Sequence, residues 1–152
     1  MFFVTNVFIN QSKTQFRHWG LTTHSVTIIN YGKKLLAGLV MINLNKESCI
    51  ACRKDSPRLN LEEISDLCLE IPDWDFAYEN DIPTLTRSFS FANFDKAIHF
   101  VNKIALLSEL EDHHPKILVE WGRVTVSWWT YIIQGLHRND FIMAAKTGSL
   151  YS

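Results

Sequence analysis

Apolar and polar positions divide the chain into two parts of different quality. Residues 1 to about 48 mix strand-like stretches, "MFFVTNVFIN" and "HSVTIINYG", with polar segments, and their turn and cap signals are weak. From about residue 49 onward, each segment agrees with the next. Asn60 is placed to cap a helix whose Glu63 returns the capping bond. Ile64, Leu67, Cys68 and Ile71 then recur at helical spacing, and Pro72 ends the run. Asp75–Glu79 and Thr84–Phe91 read as two strands around the polar turn "END", with Leu85, Arg87, Phe89 and Phe91 on one face.

Asn93 or Asp95 starts a second helix. Its expected buried stripe is Ala97, Ile98, Val101, Ile104 and Ala105, with Phe100 and Leu107 lying off it. Two apolar residues on a second face suggest a partner helix from another subunit. The helix must run out near His113, because Pro115 disfavours helical geometry at His114. Ile117, Val119 and Trp121 alternate, Gly122 turns the chain, and Val124, Val126 and Trp128 alternate again. Gly135 breaks this pattern, and "LHRNDFIMAAK" predicts a last helix with Asp140 in its first turn. The order helix, two strands, helix, two strands, helix predicts an α+β fold: two layers, a four-stranded antiparallel sheet with three helices on one face.

The length of 152 residues allows one domain and one core. The expected division is 1–48, an amino-terminal extension, and 49–152, the folded domain. The first 40 residues are expected to be dispensable or the product of an over-long start assignment, since the core reads as complete from about Asn60. A formal net charge of −1 with interspersed signs gives no basic stripe for nucleic acid. No apolar run reaches the ~18 residues needed to span a bilayer. "KKLLAGLVMI" has the flavour of a signal core, but it is internal and no small-residue cleavage site follows. Three cysteines, Cys49, Cys52 and Cys68, are poor material for a disulfide framework, which favours a reducing, cytoplasmic setting. Cys49 and Cys52 form one CxxC without a second ligand pair, so two unpaired thiols are expected rather than a zinc site.

The candidate chemistry lies in "ELEDHHPKILVEW", where His113 and His114 stand side by side before Pro115. An imidazole titrates near neutrality and can give or take a proton. A His-His-Pro can equally be a plain helix terminus, with the imidazoles favoured by the negative end of the dipole. Glu109 precedes His113 by one helical turn and can orient an imidazole. His99 and His137 read as structural, and His18 and His24 carry no assigned role.

The segments "IPDW", "LTRSFSFANFDKAIHFV", "HHP", "GRVTVSWW" and "GLHRND" together resemble the pterin-4a-carbinolamine dehydratases, also known as dimerisation cofactors of a hepatocyte nuclear factor. The family motif is an acidic residue, three residues, His-His-Pro, five residues, an aromatic, nine residues, a residue that is usually His, and an Asp nine further on. In this chain it reads Glu109, His113-His114-Pro115, Trp121, Tyr131 and Asp140, with every spacing kept. The resemblance is strongest to the bacterial members that accompany phenylalanine hydroxylase. It implies a hydro-lyase acting on 4a-hydroxytetrahydropterin, recycling the pterin of an aromatic amino acid hydroxylase. The pterin is then the substrate, and neither cofactor nor metal is required.

It further implies catalysis by His113, His114 and Tyr131, substrate contact at Glu109, Pro115, Trp121 and Asp140, and a homodimer or homotetramer. Asp140 is also placed to cap the last helix, and Trp121 and Trp128 to act as core or pocket walls. The departure is Tyr131, which stands where the family usually carries a third histidine. A phenol with a pKa of ~10 does not titrate as an imidazole does. This keeps open a second expectation: a weakly active or inactive member that serves as a protein-binding or dimerisation module.

Overall fold

The computed structural model describes residues 43–151. The expectations for the first 42 residues, including the strand-like stretches and His18 and His24, lie outside the described residues. Three helices and four strands follow a 3-10 turn, Leu44–Lys46: α1 Leu61–Cys68, β1 Asp75–Glu79, β2 Ile82–Ser90, α2 Phe94–Glu111, β3 Lys116–Glu120, β4 Arg123–Trp128 and α3 Arg138–Leu150. The capping box forms as the sequence predicts. Asn60 Oδ1 accepts from the Glu62 and Glu63 amides at 3.0 Å each, and Glu63 Oε2 accepts from the Asn60 amide at 2.8 Å.

All strand pairings are antiparallel, in the order β1-β2-β4-β3. Asn80 and Asp81 both take positive φ, 51° and 65°. A turn of this kind needs only two residues, so β2 begins at Ile82 opposite Glu79, two residues earlier than the sequence suggested. Pro83 is tolerated because β2 meets β4 only from Leu85 onward. At the other hairpin, a Cβ on Gly122 would stand 2.9 Å from the Phe91 carbonyl oxygen, so only glycine fits this approach.

The sheet has one apolar face. Leu85, Phe89, Val124, Val126 and Trp128 project into the core with Ile64, Leu67, Ala97, Phe100, Ile104, Phe141 and Met143. Arg87 shares this face, and its charge is met by Asp73 at 3.0 Å while its guanidinium lies over the Phe89 ring. Thr86 with Ser127, and Ser88 with Thr125, are hydrogen-bonded pairs on the other face. This is the two-layer α+β arrangement that the element order predicts.

Two packing details differ from the sequence reading. In α2 the buried residues are Ala97, Phe100, Ile104 and Ser108. Phe100 is therefore core, Leu107 packs partly against it, and Ala105 is exposed. The aromatic cluster of Phe89, Phe91, Phe100 and Tyr151 rotates the helix toward its bulkiest side chain. The large apolar residues left exposed on α2 are Phe94 at 48%, at its start, and Leu106 at 74% and Leu110 at 81%. The second difference lies upstream of residue 49, where Leu44 is only 3% exposed in the same core.

Candidate active site

The end of α2 places the histidines. Asp112 adopts left-handed geometry, φ 50° and ψ 43°, and the His113 amide donates back to the Ser108 carbonyl at 3.1 Å. That closure, followed by Pro115, stops the helix and sends the chain into β3. His113 and His114 consequently face different surroundings: His113 is buried, 8% exposed, and His114 is open to solvent.

His113 Nε2 lies 2.7 Å from Asp140 Oδ1. Asp140 is fully buried, and its second oxygen accepts from the Thr130 hydroxyl at 2.9 Å and the His137 amide at 2.7 Å. A carboxylate oxygen accepts, so the hydrogen of this contact is assigned to His113 Nε2, which leaves Nδ1 for another partner. The His113 ring also stacks on Trp128, centroids 5.7 Å apart and planes at 17°. His114 makes the corresponding pair in the open, its Nε2 2.9 Å from Glu109 Oε1.

Glu109 therefore orients an imidazole as its position allows, and the ring it meets is His114, the one after the residue a helical turn away. The left-handed residue at Asp112 breaks the helical register between Glu109 and the pair. Asp140 caps α3 in a capping box with His137, whose Nδ1 accepts from the Asn139 amide at 3.2 Å. With no exposed surface and its oxygens occupied by three donors, Asp140 positions His113 and is closed to direct ligand contact within this chain. The structural reading of His137 holds, as does that of His99, whose ring nitrogen bonds the Asp95 carbonyl on its own helix.

Pro115 is half-buried beside the pair in sequence. Tyr131 opens a 3-10 turn, Tyr131–Ile133, directly after Thr130, and is 78% exposed. Trp121 is not brought to the histidines within one chain. Five residues of β3 at ~3.3 Å each carry it about 16 Å away, to the hairpin turn, where it is 71% exposed. Trp128, not Trp121, forms the wall behind the imidazole.

The sequence reading gave Thr130 no role and, beyond two unpaired thiols at Cys49 and Cys52, gave the segment Glu47–Cys52 no part in the site. Glu47 binds the Arg138 guanidinium through two bonds of 2.7 Å, and this contact holds the Glu47 carboxyl below its ordinary range. Glu111 accepts from the Cys49 amide at 2.8 Å and pairs with Lys146. Burial alone would raise the Glu111 carboxyl, but these hydrogen bonds bring it below the ordinary range. The thiols are free. Burial, assisted by the Glu111 charge, pushes Cys49 up to about 12. Cys52 is raised by burial and by the Asp140 charge, against hydrogen bonds from Thr130 and Asn139.

A two-layer α+β domain that presents adjacent imidazoles, each backed by a carboxylate, defines the class: a protein equipped for general acid–base chemistry on a small molecule. Comparison with known sequences makes this specific. Residues 57–150 match the family model described as pterin 4 alpha carbinolamine dehydratase. A Saccharophagus degradans protein named for pterin-4-alpha-carbinolamine dehydratase is 47% identical over 111 residues, 73% of this chain and 98% of that one. A Marinobacter nauticus protein of the same name is 49% identical over 111 residues, covering 73% of this chain and all of its own. Among solved structures, a Brucella melitensis protein described as a transcriptional coactivator/pterin dehydratase superposes with a TM-score of 0.58 at 29% identity. That match covers 63% of this chain and all of the other. The chain belongs to the pterin-4a-carbinolamine dehydratase family, a family of hydro-lyases.

Proposed function

We propose that the protein dehydrates 4a-hydroxytetrahydropterin to the quinonoid dihydropterin. In this reaction the C4a–O bond breaks, an imidazolium gives its proton to the departing hydroxide, and water leaves. The proton of the ring N–H passes to an imidazole. One imidazole ends protonated and the other neutral, so the pair returns to its starting state by exchanging roles or through solvent. Both rings hold Nε2 against a carboxylate, which leaves Nδ1 as the atom that exchanges protons with substrate. A carboxylate behind a histidine fixes the tautomer and stabilises the imidazolium. The observation that carries the reading is the buried His113–Asp140 pair, because a plain helix terminus needs no buried carboxylate aimed at its imidazole.

In our reading the exposed phenol of Tyr131, next in sequence to Thr130, holds the ring or the leaving oxygen. In the same reading Glu109 and Pro115 contact the substrate, and Trp121 contributes only if another copy of the chain brings it near. The pterin is the substrate, and no further cofactor or metal enters the scheme. We further propose that the substrate is the 4a-hydroxy product left by an aromatic amino acid hydroxylase in the cytoplasm, whose pterin this dehydration helps to recycle, that the chain forms a homodimer or homotetramer, and that residues 1–40 are a dispensable extension. Among the described residues no helix is long and apolar enough to cross a membrane.

Turnover of enzymically generated 4a-hydroxypterin, measured against its spontaneous dehydration, tests the activity. A rate no faster than the spontaneous one favours the second reading, a module of the same fold that binds proteins. The exposed phenol at position 131 and the exposed Leu106 and Leu110 are the observations behind that alternative.

A further inference from the structure

The two halves of the His113–Asp140 bond come from different elements, the end of α2 and the start of α3. Residues 47–52 bridge the same two ends. On the α2 side, the Cys49 amide donates to Glu111, two residues before His113. On the α3 side, Glu47 holds Arg138, and the Asn139 side chain holds Ile50 and Cys52. Asn139 is 2% exposed and directly precedes Asp140. Its amide nitrogen donates to the Ile50 carbonyl at 2.7 Å and to Cys52 Sγ at 3.3 Å, and its Oδ1 accepts from the Ile50 amide at 3.2 Å. The side chain thus reads both backbone groups of Ile50, as a neighbouring strand would.

We propose that Asn139 is a positioning residue for the dehydration: it fastens the 47–52 segment across the ends of α2 and α3 and so fixes Asp140 behind His113. This rests on the reading of His113 as a proton-transfer group. The physical reason is geometric. Thr130 and the His137 amide set the plane of the Asp140 carboxylate. They do not set the spacing of α3 from the end of α2, to which the bridging segment contributes beside the direct Glu111–Lys146 pair. A misplacement of about 1 Å in such a constellation costs about a hundredfold in rate.

The test compares Asn139→Ala, Cys52→Ala, Ile50→Ala and His113→Ala in the full chain. Each is read by kcat and KM, and the three that keep His113 also by the NMR shifts of its ring nitrogens. Asn139→Ala is expected to lower kcat by about ten- to a hundredfold with KM little changed. It should also convert the His113 ring from the fixed Nε2–H tautomer to an average of two. Cys52→Ala removes one of the three bonds and should show a smaller change of the same kind. Ile50→Ala alters an exposed side chain but keeps the bonded backbone, and should retain the wild-type rate.

A folded Asn139→Ala protein with unchanged kcat and unchanged His113 shifts overturns the proposal. If Asn139→Ala does not fold, a folded Cys52→Ala with unchanged kcat and shifts overturns it. An unaltered rate in His113→Ala overturns the reading of the site itself. A lowered rate there, beside an unaltered Asn139→Ala, removes only this inference.

Discussion

Asp140 carries three hydrogen bonds on two oxygens and has no exposed surface, so it tolerates no loss of charge or geometry. In Asp140→Asn the new amide N–H either faces the Thr130 and His137 donors, or faces His113 and turns it to the tautomer in which Nε2 accepts and the hydrogen lies on Nδ1. The first arrangement leaves a buried group unsatisfied at about 1–3 kcal/mol, which for a domain of this size lowers Tm by roughly 4–8 °C per kcal/mol. The second keeps the bonds but removes the Nδ1 lone pair. Turnover is expected to be lost in either arrangement, and a folded variant as active as wild type would mean that Asp140 does not set the His113 ring. Tyr131→His addresses the position where this chain departs from its family's usual histidine. It is expected to raise the rate and move the pH dependence towards neutrality, because an imidazole titrates there and a phenol does not. Identical pH–rate profiles would restrict position 131 to packing or binding. Both the motif and its spacing could be read from the sequence, but the assignment of carboxylates could not. Glu109 and Asp140 stand in one pattern, and only the left-handed turn at Asp112 decides that the first serves His114 and the second His113.

At the scale of elements, the capped helices and alternating strands were legible because local and tertiary preferences agree there. The face of α2 was less so. Its apolar residues span more than one stripe, and the choice fell to the aromatic cluster around Phe100, which is assembled from β2, α2 and Tyr151. Leu107 packs partly against the core while Leu106 and Leu110 are exposed. Leu107→Glu is therefore expected to lower thermal stability. Leu106→Glu with Leu110→Glu should leave melting of the fold intact and reduce the oligomer in light scattering. The reverse pattern would return the assembly face to Leu107. The fastening of the 47–52 segment was not legible because it is long-range and polar, which no periodicity reports. Its acid response follows from Glu47 and Glu111, both held below the ordinary carboxylate value of 4.5. A depressed folded value means that the stabilisation is complete above that ordinary value and is lost as pH falls through the lower, folded values. Hydrogen exchange at the Cys49 and Ile50 amides, taken relative to the intrinsic rate, should therefore show protection at neutral pH that is lost in acid, below the ordinary carboxylate value. Uniform protection down to the global acid transition would contradict this.

Over the whole molecule, the fold class emerged from element order alone, whereas the strand order required β2 and β4 to pair across α2 and β3. Leu44 shows why the boundary was harder. A single buried leucine ahead of a polar stretch carries no pattern, yet it completes the core beneath α3. The same architecture brings the end of α2, the end of β4 and the start of α3 to one place, where His113, Trp128, Thr130 and Asp140 meet. The most direct measurement of the account is the dehydration rate of 4a-hydroxytetrahydropterin by wild type, His113→Ala, His114→Ala and the double variant, each checked for fold by circular dichroism. Wild type is expected to exceed the spontaneous reaction, each single variant to fall by about 10²–10⁴-fold or to the spontaneous rate, and the double variant to add almost nothing. A folded double variant that turns over at the wild-type rate would contradict the assignment of the chemistry to this pair.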